Sequence, residues 1–447
     1  MTAIKRTETS SLYMLRNIID GLKDLYLKDN RPWLVGFSGG KDSTLVAHVI
    51  FEVVNSIPIE SRTKQVHIVC TDTRVEIPAV VETLAGTLKK MQDKSQEQNL
   101  CISTHLLKPD VDQGFWVNVI GRGYPPPNKF FRWCTQRLKI DPVNIFITNW
   151  LGSDGEAIIH LGARRGESAS RSQTLSGYEA RNGLRRHPNL PRVFVSNPIE
   201  YLTTEEVWAY LLQNPPLWGG THRELYKLYN NAGGGECAIH IDTSTPSCGS
   251  SRFGCWTCTV VEKDKASEGL LASGDDRMEH LIAFRSRLME YQDPANGKRD
   301  RVRMNGTTSE NSWGPLLMSA RKELLEELID LQDKTAVSLI TQDELQLIQN
   351  LWKGARGADD GLGVARIVNR QRGVPMKSAK QAQRLRAMVE DVSDARRLNP
   401  ETMHRLVAKI EEFSESHRAA GLVGDLQRIL QDDIRSGGAD EGEHSNG

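Results

Sequence analysis

The residues best suited to chemistry form one glycine-rich segment near the start of the chain. Residues 36–43 read GFSGGKDS, after a β-rich run and before a helical stretch. At such a helix start, unpaired amides and the helix dipole favour an anion. The glycines permit close backbone approach, the lysine supplies a charge, and the serines supply hydroxyl donors. The predicted phosphate contacts are Ser38, Gly39, Gly40, Lys41, Asp42 and Ser43.

This segment differs from the phosphate loop of kinases and GTPases. A Walker A loop needs glycine five residues before Gly40, where this chain has Val35. The pattern therefore argues against γ-phosphate transfer. The simpler alternative is an ordinary glycine turn between a strand and a helix.

Short β-rich runs alternate with helical stretches from residue 33 to about residue 212, which is typical of a parallel sheet covered by helices. The predicted strands are 33–37, 65–70, 100–107, 157–162 and 192–195, and the predicted helices are 44–54 and 203–212. We therefore expect an α/β fold with a doubly wound, mostly parallel sheet of about five strands.

Polar residues follow two of these strands, where open α/β sheets bind ligands. Asp72 could hold ribose or Mg²⁺, or it could only cap a turn. Gly162 ends a later strand, and Arg164 and Arg171 follow it. Their guanidinium groups could stabilise charge on an α-phosphate and on departing pyrophosphate.

Seven arginines lie between Arg164 and Arg192, against two acidic residues. Such a run could bind a nucleic-acid backbone, or it could be a charged surface loop. The Trp208 side chain, further along, is interpreted as core packing under the sheet.

Four of the seven cysteines lie close together: Cys237, Cys248, Cys255 and Cys258. Glycine and proline between them allow tight turns, so four thiolates could converge on one metal. Clustering of this kind indicates a metal rather than disulfides. The spacing alone leaves a zinc site and an iron–sulfur cluster equally open.

Cys134 stands apart, close to the basic residues Arg137 and Lys139. Nearby positive charge would depress its pKa, so it is the candidate for transient sulfur carriage. The alternative is a small buried hydrophobe. Cys70 and Cys101, within predicted strands, are expected to be core residues.

Composition limits the class of protein. The 447 residues include 57 basic residues (Lys and Arg) and 57 acidic residues (Asp and Glu). The protein therefore has no net positive charge that would attract nucleic acid. Any DNA contact is therefore expected to be local or to come through partners. No apolar run is long enough to cross a membrane, and the start lacks a secretory signal, so we expect a cytoplasmic protein without membrane contact.

The loop resembles that of the PP-loop ATP pyrophosphatases, and more narrowly the phosphoadenosine phosphosulfate reductase group. Supporting segments are TDTRVEIP at 71–78, GARRGES at 162–168, and Pro198 with the Val207-Trp208 pair. The resemblance implies that the loop grips the pyrophosphate cleaved from ATP in the presence of Mg²⁺.

The cysteine arrangement, together with RWCT at 132–135, is similar to the DndC family, the sulfur-handling subunits of bacterial DNA phosphorothioation systems. This resemblance implies a [4Fe–4S] cluster, a cysteine desulfurase as sulfur donor, other phosphorothioation subunits as partners, and DNA as the substrate. The implied activity is that of an ATP pyrophosphatase and sulfurtransferase.

The corresponding predicted organisation has four parts. A PP-loop domain covers 1–232, a cysteine segment 233–262, a helical region 263–435 and a disordered tail 436–447. The predicted helices of the third part are 277–291, 319–333, 342–352 and 379–413.

Three other functions remain open from the sequence. A reductase of adenylylated sulfate shares the loop, but that family uses a C-terminal cysteine and none follows Cys258 here. Thiolation of tRNA would use the same activation on a base. A scaffold subunit could bind nucleotide only to regulate assembly.

Overall fold

One mixed sheet forms the centre of the computed structural model, which describes residues 2–152, 155–167, 183–232, 254–303, 306–308, 313–353, 355, 363–371, 405 and 428–429. Its strands are β1 Trp33–Gly36, β2 Val66–Thr71, β3 Ile102–Leu107, β4 Ala157–His160, β5 Arg185–Arg186 and β6 Val193–Ser196. The spatial order is β3-β2-β1-β4-β6-β5. All neighbours pair in parallel except β5 with β6.

Eleven helices with eight or more residues lie in the described ranges. They are α1 Thr2–Lys28, α2 Lys41–Asn55, α3 Pro78–Gln98, α4 Asp141–Leu151, α5 Thr204–Gln213, α6 Arg223–Ala232, α7 Lys265–Ala272, α8 Arg277–Gln292, α9 Met318–Thr335, α10 Gln342–Trp352 and α11 Gly363–Gln371.

Burial explains why the central strands form where they do. Trp33, Leu34 and Val35 of β1 are all fully buried, as expected for a strand covered on both faces. Helices α2, α3 and α5 share one core with Trp33 and Val35, while α4 packs through Ile147 on the face that holds Leu34. The sheet is therefore doubly wound, and the prediction of its class is confirmed.

The order of the strands fixes the position of the ligand crevice. From β1 the chain runs through α2 to β2 and through α3 to β3, then returns to β4 on the other side of β1. The carboxyl ends of β1 and β4 therefore flank the point at which the winding direction reverses. Open α/β sheets bind ligands at this point.

The predicted strands differ from the structure mainly at the edge. The short strand β5 pairs antiparallel with β6, which gives six strands instead of five. With only two residues, β5 lacks the alternating pattern that sequence inspection depends on. The helix predicted to begin at Thr203 is confirmed, because Thr203 and Glu206 form a capping box.

Helices α8 and α9, which follow Cys258, pack against the segment that joins β3 to β4. Trp116 packs edge-to-face against Phe284 of α8. Its indole Nε1 donates a hydrogen bond to the Leu339 carbonyl over 2.7 Å. Arg321 of α9 donates to the Ile120 carbonyl over 2.6 Å. Trp256 also contacts Phe284, so the cysteine segment is held in the same cluster.

The chain divides into two compact units, Met1–Ile348 and Gln349–Gly447. The first contains the sheet and helices α1 to α9. Of the second, the structure describes mainly α11 and the end of α10. The helix predicted at 379–413, apart from residue 405, and the predicted tail lie outside the described residues. Among the described helices, none has the length and apolar character needed to cross a bilayer.

Candidate nucleotide and thiol site

The glycine-rich segment forms a tight loop between β1 and α2. Gly39 adopts φ 71°, a left-handed conformation that favours glycine. Ser43 Oγ donates to the Gly40 carbonyl over 3.0 Å and lies 3.2 Å from Ser38 Oγ. The residue that precedes α2, Gly40, makes no side-chain cap, so the helix start keeps its affinity for anions.

Gly162 lies directly against this loop. A Cβ atom at Gly162 would stand 2.8 Å from the Asp42 carbonyl carbon and 2.9 Å from the Ser43 nitrogen. Both contacts are with backbone, which cannot move aside as a flexible side chain could. The end of β4 therefore supports the start of α2 only because residue 162 has no side chain.

Arg164 is buried, with 2% of its surface exposed, and its guanidinium is fully engaged. Its Nε donates to Asp42 Oδ1 over 2.7 Å, and its other nitrogens donate to the Leu202 carbonyl and to Thr204 Oγ1. The arginine thus fixes the Asp42 carboxylate. Its direct contact with phosphate remains a prediction.

Lys41 and Asp42 form an ion pair at the mouth of the loop. Lys41 Nζ lies 3.0 Å from Asp42 Oδ2, and both side chains are largely covered. Asp42 therefore bridges Lys41 and Arg164, with one carboxylate oxygen for each. This chain of charges orients the lysine at the predicted phosphate position.

Tyr229, on α6, is the residue at this site that sequence inspection missed. Its hydroxyl accepts a hydrogen bond from the Lys41 amide over 3.1 Å, and its ring lies under Lys41 Nζ. Trp208 packs edge-on against the same ring, which confirms Trp208 as a buried packing residue. A tyrosine 188 residues along the chain from Lys41 carries no local signal of this contact.

A cleft opens beside the loop on the face covered by α2 and α3. Ser38, Gly39 and Thr44 line it together with Trp218 and His222. Leu84 and Thr87 of α3 complete the lining with other residues of 80–90 and 216–228. The cleft gives a bound nucleotide space next to the phosphate loop.

Asp72 follows β2, on the strand next to the loop. Its Oδ1 accepts from the Arg74 amide over 2.8 Å, and Arg74 has a positive φ of 64°. The carboxylate thus stabilises a turn, as the simpler interpretation predicted. A role for Asp72 toward ribose or Mg²⁺ remains a prediction.

The cysteine segment docks on the residues that follow this same turn. Glu76 and Cys255 form an isolated antiparallel bridge, and the Trp256 amide donates to the Val75 carbonyl over 3.0 Å. Because β1 and β2 are parallel neighbours, their carboxyl ends lie side by side. The docked thiol therefore lies at the same end of the strands as the phosphate loop.

Cys255 is surrounded by polar groups. Its Sγ lies 3.4 Å from Thr73 Oγ1, and it donates to Glu76 Oε1 over 3.8 Å. Burial and the Glu76 carboxylate raise the pKa of the Cys255 thiol to about 12. Lys139 Nζ lies 3.2 Å from Glu76 Oε1 and balances that carboxylate. The sequence segments contained Thr73, Glu76 and Lys139 but gave no reason to group them.

The pKa of the Cys134 thiol differs from the prediction. Burial, followed by the proximity of Cys258, raises its pKa, although Lys139 acts in the opposite direction. The expectation of a depressed pKa is therefore wrong, because desolvation of the thiolate outweighs the nearby charge. Sulfur carriage by Cys134 remains a prediction. The structure does place Cys134 near Cys258, which the sequence separates by more than a hundred residues.

The other cysteines divide as follows. Cys70 is buried in β2, as predicted. Cys101 is only half-buried and precedes β3 with a positive φ of 54°, so its placement inside a strand is wrong. The predicted site residues Arg171, Cys237 and Cys248 lie outside the described residues.

The thiols agree in chemistry with the implied iron–sulfur cluster. Cys255 and Cys258 share one turn, in which the Cys258 amide donates to the Cys255 carbonyl over 3.0 Å. Arg285 holds the Cys258 carbonyl over 2.6 Å. Soft thiolate donors on such a turn suit iron–sulfur or zinc. Within the parts of the chain described, no three metal-binding side chains stand close enough to hold an ion by themselves.

The later arginines are mostly paired where the structure describes them. Arg165 and Arg185 both bind Glu200, over 2.7 and 2.9 Å, and these arginines hold the pKa of that carboxyl below its usual value despite burial. Arg186 lies over the Phe194 ring. These contacts favour the charged-loop interpretation for the described part of the run.

Comparison with known proteins gives one family match. The family model of the phosphoadenosine phosphosulfate reductase domain matches residues 32–261, which is about half of the chain. An uncharacterized protein of Methanocaldococcus jannaschii is 25% identical over 247 residues, covering 55% of this chain and 40% of that protein. The chain thus spans about two-fifths of the curated relative that it matches.

Three solved structures are also similar. A phosphoadenylyl-sulfate reductase of Candida auris, in a phosphate complex, is 11% identical over 47% of this chain and 85% of its own, with TM-score 0.30. The U34-tRNA thiolase of Methanococcus maripaludis, with its [4Fe–4S] cluster, is 15% identical over 62% and 80%, with TM-score 0.29. The NH₃-dependent NAD synthetase of Campylobacter jejuni is 14% identical over 65% and 98%, with TM-score 0.27.

Proposed function

Because the chain belongs to the phosphoadenosine phosphosulfate reductase domain family, we propose that it is an ATP pyrophosphatase and sulfurtransferase that inserts sulfur into the DNA backbone. One observation carries this proposal. The phosphate loop follows β1, and the Cys255 thiol docks on the residues that follow the adjacent strand β2. Nucleotide activation and sulfur chemistry can therefore act on one substrate at the carboxyl ends of these two strands.

In the first step, the loop binds the β- and γ-phosphates of ATP. Ser38, Ser43 and the amides of Gly39 and Gly40 supply donors, and Lys41 supplies positive charge. A DNA backbone oxygen forms a bond to the α-phosphorus, and the bond to the β-phosphate oxygen breaks. Pyrophosphate leaves with the negative charge that develops on that oxygen, which the loop and Lys41 stabilise.

In the second step, sulfur at the hydrosulfide level forms a bond to the activated DNA phosphorus. The phosphorus–oxygen bond to AMP breaks, and AMP leaves with the bonding electrons. The proton of hydrosulfide passes to solvent. The products are a DNA phosphorothioate, AMP and pyrophosphate. A cysteine desulfurase is the proposed source of the sulfur, which it carries as a persulfide. A thiol, such as that of excess free cysteine, reduces the persulfide to hydrosulfide and is itself oxidised to a disulfide. Other phosphorothioation subunits are the proposed partners on DNA.

Cys255 and Cys258, together with Cys237 and Cys248, are the proposed ligands of a [4Fe–4S] cluster. When bound through all four thiolates, such a cluster would supply one-electron redox capacity at this position. The protein's own residues hold Cys255 between Thr73 and Glu76, and Lys139 balances the carboxylate. Asp72 is proposed to serve the ribose or Mg²⁺.

The test is to measure AMP and pyrophosphate formed from ATP by the full chain, with a cysteine desulfurase, cysteine and DNA present. Phosphorothioate linkages are then counted by mass spectrometry after nuclease digestion. Lys41→Ala should abolish both products, because the loop loses the only side-chain cation in its GFSGGKDS sequence. We expect a loss of about a hundredfold or more in pyrophosphate release.

Lys89→Ala is the matched control, because Lys89 is an exposed lysine on α3 that lies outside the loop and is not among the residues that line the cleft. This variant should release pyrophosphate at a rate within a few-fold of that of the wild-type chain. Equal turnover of ATP by Lys41→Ala and the wild-type chain would remove the loop from the reaction. Pyrophosphate release without phosphorothioate, in the presence of all components, would leave only the ATP half of the proposal.

A further inference from the structure

A short surface loop between β3 and β4 exposes two neighbouring aromatic rings. Residues 128–132 read NKFFR and are called the NKFFR loop below. Phe130 is 98% exposed and Phe131 is 44% exposed. Complete exposure of a phenylalanine leaves its apolar faces in water, which costs free energy unless a partner covers them.

Hydrogen bonds fix the conformation of the base of this loop. The Asn128 side chain accepts from the amides of Phe130 and Phe131 over 2.8 and 2.9 Å. The Pro127 carbonyl accepts from Thr259 Oγ1 and from Gln292 Nε2, both over 2.6 Å. The two rings are thus held out from a fixed turn.

Positive charge flanks the rings on both sides. Lys129 and Arg132 are both exposed, and neither forms an ion pair with a described acidic residue. From residue 113 to residue 140 the sequence has five basic residues and no acidic one. Arg122 and Lys139 of this set have acidic partners, which leaves the cations of the NKFFR loop available for an anionic ligand.

The loop is also next to the thiol site. Trp133 and Cys134 follow it directly, and Thr259, which holds its base, follows Cys258. A polymer bound at the loop would therefore extend toward the thiols.

We propose that the NKFFR loop binds a single-stranded stretch of the nucleic-acid substrate. Phe130 stacks on a base, and Lys129 and Arg132 bind the flanking phosphates. Exposed aromatic rings between cations that have no ion pair among the described residues suit unstacked bases on an anionic backbone. With a net charge of zero, direct binding by this chain must come from such a local group of cations. The inference rests on the proposed function, which supplies nucleic acid as the class of substrate.

The experiment measures binding of a fluorescein-labelled single-stranded DNA oligonucleotide, and of the same sequence as a duplex, by fluorescence anisotropy with the full chain. Phe130→Ala/Arg132→Ala should weaken single-strand binding about tenfold or more. It should also reduce the slope of log Kd against log salt by about 0.7, for one lost phosphate contact. The affinity for ATP, measured by isothermal titration calorimetry without DNA, should not change.

Tyr13→Ala/Arg16→Ala is the matched control, because it removes an exposed aromatic residue and an exposed cation from one face of α1. It should bind the oligonucleotide as the wild-type chain does. Equal losses in both double variants, or no loss in the loop variant, would overturn the inference.

Two further outcomes separate this inference from the proposed function. A wild-type chain that releases pyrophosphate with duplex DNA but binds no single-stranded oligonucleotide overturns the inference and leaves the ATP step intact. A loop variant that keeps oligonucleotide affinity but no longer retains purified cysteine desulfurase also overturns it, in favour of a protein-docking surface.

Discussion

At the scale of single residues, the close approach of Gly162 to the phosphate loop is the contact most sensitive to substitution. Gly162→Ala places a Cβ 2.8 Å from the Asp42 backbone, so either the loop or the end of β4 must shift. We expect a loss of about 1–3 kcal/mol in the free energy of unfolding and most of the pyrophosphate release. Chemical denaturation and a pyrophosphate assay measure the two effects.

Gly86 provides the comparison for that change. It lies inside α3, and no atom stands within 4 Å of the position that a Cβ would take, so Gly86→Ala should stabilise the fold by about 0.5–1 kcal/mol. Pyrophosphate release by this variant should not change. Wild-type activity in Gly162→Ala would show that the loop tolerates displacement.

Tyr229 is the second residue with a defined prediction. Its hydroxyl occupies the Lys41 amide, which a phosphate must reach to bind the loop. Tyr229→Phe keeps the ring against Trp208 but removes this competing hydrogen bond. ATP should therefore bind about twofold to tenfold more tightly, as measured by isothermal titration calorimetry. Weaker binding would instead indicate that the hydroxyl contacts the nucleotide.

At the scale of elements, the packing of helices on the sheet buries several histidines in neutral form. Burial lowers the pKa of His160 to about 3 and the pKa values of His48, His67 and His222 to about 4 each. His160 packs on Trp33, and neither of its ring nitrogens has a hydrogen-bond partner among the described residues.

These shifts predict the direction of the pH dependence. Between about pH 6.5 and pH 4 the unfolded chain binds protons on these histidines while the folded chain does not. Stability is therefore lost as the pH falls through this window, by up to about 1.4 kcal/mol per pH unit for each histidine. Urea unfolding at several pH values measures the slope.

A variant isolates the contribution of one ring. His160→Phe keeps an aromatic ring against Trp33 and removes one titrating group. The free energy of unfolding should therefore change less steeply with pH, by up to about 1.4 kcal/mol per pH unit. His280→Phe is the control, because it removes an exposed histidine on α8. Equal slopes in His160→Phe and the wild-type chain would mean that His160 titrates normally.

At the scale of the whole molecule, the phosphate loop and the thiols lie on different segments that the sheet brings together. Cys255→Ser should therefore remove visible absorbance and iron from anaerobically purified protein while ATP cleavage continues. Loss of about four irons and four sulfides per chain is expected, and phosphorothioate formation should stop. Metal analysis and the pyrophosphate assay measure the two activities separately.

Cys101→Ser is the control for this experiment, because Cys101 is half-buried but bonds only to the Arg62 carbonyl among the described contacts. Its iron content should equal that of the wild-type chain. A protein that contains one zinc and no sulfide would reduce the cysteine segment to a structural site. An active Cys255→Ser variant without a cluster would exclude the iron–sulfur part of the proposal.

Local patterns in the sequence were sufficient for the central architecture and for the loop. Strands β1 to β4 and β6, and helices α2 and α5, follow from hydrophobic runs, glycines and the Thr203 cap, all of which act between near neighbours. The GFSGGKDS segment predicts an anion site for the same reason. The two-residue strand β5 escaped prediction because its pairing depends on β6.

Tertiary structure alone decided how the candidate residues are used. Arg164 is directed to Asp42, Tyr229 covers the Lys41 amide, and Cys255 docks on Glu76, through contacts that span 122 to 188 residues. The pKa of Cys134 likewise follows from burial rather than from its basic neighbours in sequence. The sequence by itself determined which chemical groups are available. Only the fold decided their partners and their solvation, because both depend on segments brought together across the sheet.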